Sequence, residues 1–122
     1  MTIRGIRGAT TIESDQEEQV LSATRELLEA ICSANSRLQT VDIASAFFTM
    51  TDDIASTYPA RAARQLGWGT VPMMCAREIP VPGSLPRCIR VLIHWNTDRE
   101  QVAIHHVYLH EAVKLRPDLA EA

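Results

Sequence analysis

Apolar residues along the chain switch between a spacing of two and a spacing near 3.6, and the switches mark out the elements. Ile3 to Ala9 alternates loosely and predicts a first strand, with Arg7 on the side away from Arg4 and Ile6. From Glu17 to about Ala34, Val20, Leu21, Leu27, Leu28 and Ile31 return at helical spacing, while Glu18, Arg25, Glu26 and Glu29 fill a solvated face. Ser14-Asp15-Gln16-Glu17 ahead of this one long helix has the form of a capping box. Val41 to Met50, rich in β-branched and aromatic residues, predicts a second strand that stops at Thr51-Asp52-Asp53. A short helix follows, with Pro59 near its first turn, Ala60, Ala62 and Ala63 inside it and Gly67 as its stop. Val71 to Glu78 reads as a strand at or entering a sheet edge, because Pro72 cannot donate to a ladder. The run from Pro80 to Pro86 is a stiff connector with a turn at Pro82-Gly83.

Cys88 to Asn96 is the clearest strand. Ile89, Val91, Ile93 and Trp95 fall on one face, and Cys88, Arg90, Leu92 and His94 on the other. His105 to Leu109 predicts a fifth strand, and a last helical turn through Glu111 to Leu115 ends before Arg116-Pro117. The sum is an α+β fold: a five-stranded mixed sheet, one long helix and short helical turns. One helix covers one face of such a sheet only in part, so the other face is expected to pack against further copies of the same chain.

Composition narrows the class. The 122 residues, 46% hydrophobic and 22% charged, suit a single domain over residues 1–122. No run is long and apolar enough to span a membrane, and the charged start MTIRGIR leads into no signal-like segment, so a cytoplasmic protein is expected. Cys32, Cys75 and Cys88 are odd in number and lack CxxC spacing, which argues for reduced thiols rather than disulfides or a zinc knuckle. A net charge of −3 with basic residues spread singly makes nucleic acid an unsuitable partner. Eleven of the 12 basic residues are arginine, the side chain suited to two-pronged recognition of carboxylates.

The chemistry is told by position. No GxSxG elbow, HExxH, GxGxxG or GxxxxGK[ST] occurs, so covalent, zinc and nucleotide chemistry lack their usual carriers. His106 and His110 have a spacing that could bind zinc on a helix, but the segment reads first as strand. What remains is Arg7, Arg64, Arg90 and Arg116 with Glu78, set in or beside strands and stiff loops, and Tyr108 and Cys75 close to them in pattern. Taken singly, each also suits a plainer role: an exposed guanidinium on a snorkelling stem, a surface carboxylate, a half-buried tyrosine, a small core thiol. Together they suit a small-anion site.

The segments RGIRGAT, YPARAARQLGW, VPMMCARE, PRCIRV and HVYLHEAVKLRPDL, in this order, resemble the monofunctional trimeric chorismate mutases of the Bacillus type from Ile3 to Leu119. The resemblance implies a homotrimeric pseudo-α/β barrel with active sites between subunits and the rearrangement of chorismate to prephenate. It implies that Arg90 faces the ether oxygen of the breaking bond, that Arg7 binds a carboxylate near that oxygen, and that Glu78 accepts a hydrogen bond from the ring hydroxyl, with Cys75 beside it. Tyr108 would contact a carboxylate; Tyr58, Ala60, Arg61 and Arg64 would line the mouth with Met73 and Met74. Leu115 and Arg116 would close the pocket, the tail from about residue 115 to 122 folding over bound substrate. Tyr58 stands where the family has phenylalanine, and Met74 where a smaller or polar residue is common.

This rearrangement is a single concerted step that requires no nucleophile, proton transfer, metal or cofactor, which agrees with the missing motifs. In a regular strand over Val71 to Glu78, Cys75 and Glu78 face opposite sides, so either the strand breaks near Arg77 or copies from different subunits meet in one cleft. Two rivals use the same arginines: a non-catalytic oligomeric binder of a small dicarboxylate metabolite, and a trimeric barrel deaminase of imino acids, whose characteristic segments are not apparent.

Overall fold

The computed structural model describes residues 2–115. The strands are β1 (Ile3–Thr11), β2 (Ile43–Met50), β3 (Met73–Arg77), β4 (Cys88–Asn96) and β5 (Val107–Tyr108); the helices are α1 (Glu17–Ala34) and α2 (Ala60–Gln65). They form one sheet in the order β3-β2-β4-β1-β5. β4 pairs antiparallel with β1 and β2, while the outer strands β5 and β3 pair parallel to their neighbours, so the sheet is mixed.

The alternation in β4 decides which face is dry. Ile89, Val91, Ile93 and Trp95 are buried, and Ile6 of β1 and Ala46 and Phe48 of β2 lie on the same face. Leu27, Leu28 and Ile31 of α1 close over them to make the main core, each such side chain adding about 1.5–3 kcal/mol on burial. Gly8 allows the close approach of helix and sheet: a Cβ there would stand 2.7 Å from Ile31 Cδ1 and 3.2 Å from Leu27 Cδ1. Asn35, 1% exposed, ends α1 and donates from Nδ2 to the carbonyls of Ile31 and His105 (both 2.9 Å), while its Oδ1 accepts the His105 N–H (2.9 Å).

Some boundaries differ from the sequence reading, for identifiable reasons. The capping box does not form: Gln16 is the cap residue, Ser14 Oγ accepts from Gln19 Nε2 (2.8 Å), and Asp15 accepts the N–H groups of Ala55 and Ser56 (2.9 and 3.1 Å). β2 begins at Ile43 because Thr40–Asp42 winds into a 3-10 turn. β3 is shorter than expected, bounded by Pro72 and by the loss of pairing after Arg77, and it is an edge strand as Pro72 suggested. β5 shrinks to two residues because Asn35 takes both backbone groups of His105. α2 ends as expected near Gly67, whose φ of +93° suits glycine.

Among the described residues, the second face of the sheet is open around Phe47 and Leu92, as one helix implied, while the turn His110–Leu115 covers its Ala9 and Cys88 corner. Phe47 and Leu92, 41% and 37% exposed, sit side by side there with Arg7 in register. His94 packs edge-on against Phe47, and its Nδ1 lies 3.0 Å from Ser45 Oγ. Arg7 and Arg90 are thus in strands without being buried; alternation puts both on this open face. Among the described residues no helix is long and apolar enough to cross a membrane, and Cys32, Cys75 and Cys88 are free thiols.

Candidate active site

The open face carries a depression of about 340 Å³ where β1, β2, β4 and β5 bring polar groups around an apolar floor. Phe47, Val91 and Leu92 line it with Arg7, Thr49, Glu78, Arg90, Tyr108 and Leu115. Parity delivers most of the set: Arg7 stands opposite Leu92, Leu92 opposite Phe47, and Thr49 opposite Arg90. Tyr108, 8% exposed, is anchored with Ala9, Cys88 and Ala112, and Leu115 packs against that cluster from the final 3-10 turn, His110–Leu115. The Arg7 N–H donates to His106 Nδ1 (2.9 Å), which fixes the backbone under that guanidinium.

At the centre is a two-pronged ion pair. Arg90 donates from Nε to Glu78 Oε2 (2.8 Å) and from Nη2 to Oε1 (2.6 Å), and Thr49 Oγ1 also donates to Oε2. Glu78 lies one residue past β3, yet its N–H still bonds Met50 O (3.0 Å), so it keeps the parity of Met74 and Ala76 and faces the open side. Arg90 and, secondarily, the Thr49 hydroxyl hold the Glu78 carboxyl below its ordinary value, against the opposing effect of burial. The pair raises the Arg90 value in turn, so the guanidinium stays charged. Burial pushes the neighbouring Cys88 thiol up to about 11, leaving it neutral. Two guanidinium N–H groups serve Glu78 and three remain for an anionic ligand.

Of the residues singled out in the sequence, Arg7, Glu78, Arg90, Tyr108 and Leu115 come together in this depression. The others do not. Cys75 and Met73 pack against the main core, on the face opposite Glu78, which resolves the parity question within one chain. Met74 lies exposed beside Phe47 at the β3 edge, and Tyr58 is exposed in the loop before α2. Ala60 is buried in the core; Arg61 bonds Glu17 Oε1 (2.5 Å) and Thr57 Oγ1 (2.8 Å); Arg64 is exposed on α2. Arg116 lies outside the described residues. Thr49, Phe47 and Leu92 were not singled out. Their signal was the period-two pattern of their strands, but their approach to Arg90 and Arg7 depends on strand order. Among the described residues no cluster of three or more metal-ligating side chains occurs.

The chain is similar to known proteins over nearly its whole length. The family described as chorismate mutase type I matches residues 3–119. The chain is 55% identical over 120 residues to chorismate mutase AroH of Thermus thermophilus, covering 98% of each. It is 46% identical over 121 residues to chorismate mutase AroH of Bacillus subtilis strain 168, covering 98% of this chain and 94% of that one. A solved chorismate mutase from Clostridium thermocellum superposes with a TM-score of 0.86 at 44% identity, over 88% of this chain and 96% of the other.

Proposed function

This chain belongs to the type I chorismate mutases, and we propose from that premise how its own residues carry the reaction. It is an isomerase that converts chorismate to prephenate, a step of aromatic amino acid biosynthesis. The family and the high identities favour this over a non-catalytic dicarboxylate binder. Chorismate is a flexible dianion that must be held in a compact, chair-like shape while its ether bond stretches. The protein's tasks are therefore conformational restriction and stabilisation of the negative charge growing on the ether oxygen.

Arg90 takes the second task. Its guanidinium, held by Glu78, presents its remaining N–H groups to the ether oxygen, and a fixed cation there helps more as the bond lengthens. Glu78 accepts from the ring hydroxyl, Arg7 and Tyr108 bind carboxylates, and Phe47 and Leu92 support the ring. The observation that carries the reading is the convergence of Arg7, Glu78, Arg90 and Tyr108 on one depression.

The chain works as a homotrimer with active sites between subunits. Support comes from the uncovered face around Phe47 and Leu92 and from the division of the predicted residues into two groups. Tyr58, Arg64 and Met74 lie exposed near α2 and β3, so a neighbouring copy supplies them to the depression, while Ala60, Met73 and Cys75 belong to the core of their own subunit. The enzyme resides in the cytoplasm.

Purified protein without additives should consume chorismate, seen as loss of its diene absorbance, and yield prephenate. Sedimentation should give three chain masses, and Phe47→Asp should dissociate the trimer and lower turnover. Absence of prephenate overturns the catalytic reading; a monomer of full activity overturns the shared site.

A further inference from the structure

Glu78 reaches Arg90 from a weak platform. It is the first residue beyond an edge strand, and its side chain must cross β2 to meet a guanidinium on β4, because the strand order is β3-β2-β4. Thr49 occupies the intervening position, paired with Ala76 on one side and Arg90 on the other. Its hydroxyl donates to Glu78 Oε2, the oxygen that also accepts Arg90 Nε. Among the described residues, the hydrogen bonds of the Arg90 side chain all go to Glu78.

We propose that Thr49 is a positioning residue for the rearrangement: its hydroxyl fixes the Glu78 carboxylate, which fixes the Arg90 guanidinium before substrate arrives. The assignment rests on the functional reading above, and it adds a residue to which neither motif nor resemblance gave a role. Without the hydroxyl, the Glu78–Arg90 pair keeps its attraction but swings as a unit about two long side chains. The transition state then spends energy on orienting a cation that Thr49 otherwise holds ready.

The test compares Thr49→Val, which keeps the β-branch and nearly the volume, with Thr49→Ser, which keeps the hydroxyl. Losing one hydrogen bond to a charged group should lower kcat by about tenfold or more in the valine protein, with a smaller change in KM. Serine should restore kcat to within about threefold of the wild type, by the same measure. The Glu78 carboxyl, followed by 13C NMR, should titrate at higher pH in Thr49→Val, since a donor to the charged form is gone. Arg90 and Cys88 on β4, Arg7 on β1 and Tyr108 on β5 surround it, with Asp52 and Asp53 beyond β2; all are common to the proteins compared. Wild-type kcat in Thr49→Val, an unmoved Glu78 titration, or equal losses in the serine and valine proteins would overturn the assignment. Should the wild type fail to convert chorismate, the functional reading falls by itself, while the NMR comparison still decides what Thr49 does to Glu78.

Discussion

Replacing Arg90 by citrulline isolates the charge that the proposed mechanism aims at the ether oxygen. The ureido group keeps the length and plane of the side chain but is neutral, and it exchanges one terminal nitrogen for an oxygen. Two unit charges about 4 Å apart at an effective dielectric near 20 interact by about 4 kcal/mol. The ether oxygen carries only part of a charge in the transition state, and water reaches the 49% exposed Arg90 side chain, so both reduce this. Loss of one oriented donor at a developing oxyanion costs about 3 kcal/mol in comparable sites. The citrulline protein should therefore turn over about 100-fold more slowly. KM should change less, because the proposed mechanism gives the carboxylates to Arg7 and Tyr108. The assay is steady-state chorismate consumption at saturating substrate, with the oligomeric state checked by sedimentation. A citrulline protein that keeps the parent's oligomeric state and retains turnover within about threefold of the parent would refute the electrostatic role, since about 0.7 kcal/mol is too little for a charge aimed at the breaking bond.

Gly8→Ala should destabilise the fold by about 1–3 kcal/mol, read as a lower urea midpoint, because the new methyl meets Ile31 and Leu27 of α1. Asn35→Ala should lose about 2 kcal/mol or more by the same measurement and speed amide exchange at Val107 and Tyr108, since it leaves both backbone groups of His105 without their partner. The Glu78 carboxyl lies below its ordinary value in the folded state, so its stabilising effect is present above the unfolded value and is lost as pH falls through the folded one. The urea midpoint of Glu78→Gln should therefore trail the parent at neutral pH and converge with it in strong acid. The gap should stay below about 1 kcal/mol, because water reaches Arg90 and screens the pair; a gap that widens on acidification contradicts the sign.

The sequence exposed whatever depends on local periodicity. The helical return of Val20, Leu21, Leu27, Leu28 and Ile31 placed α1, and all five are buried. Alternation in CIRVLIHWN placed Arg90 opposite the core face, whereas in VPMMCARE it left open a break near Arg77, and only the structure shows Cys75 and Glu78 looking in opposite directions. What escaped depends on contacts between distant segments. Thr49 is one polar residue in an apolar strand until β3 and β4 are known to flank it. His105 has strand-like neighbours, but an asparagine at the end of α1 claims its backbone. The capping box failed for a similar reason: Asp15 is drawn to the distant Ala55–Ser56 loop, and Ser14 pairs with Gln19. The family resemblance contributed roles for Arg7, Glu78 and Tyr108 that periodicity alone left open.

The antiparallel pairing of β1 with β4 matches Ile3 with Asn96 and Thr11 with Cys88, and among the described residues no strand is joined to its sheet neighbour by a tight hairpin. Such a sheet cannot zip up from a local nucleus. The loop entropy of the segment from Thr11 to Cys88 must be met before the β1–β4 ladder returns any energy, which places this subunit among slow folders. During synthesis the first strand waits, with its apolar side chains bare, until almost the last one has emerged, and in that interval it is open to chaperones and to mispairing with other nascent chains.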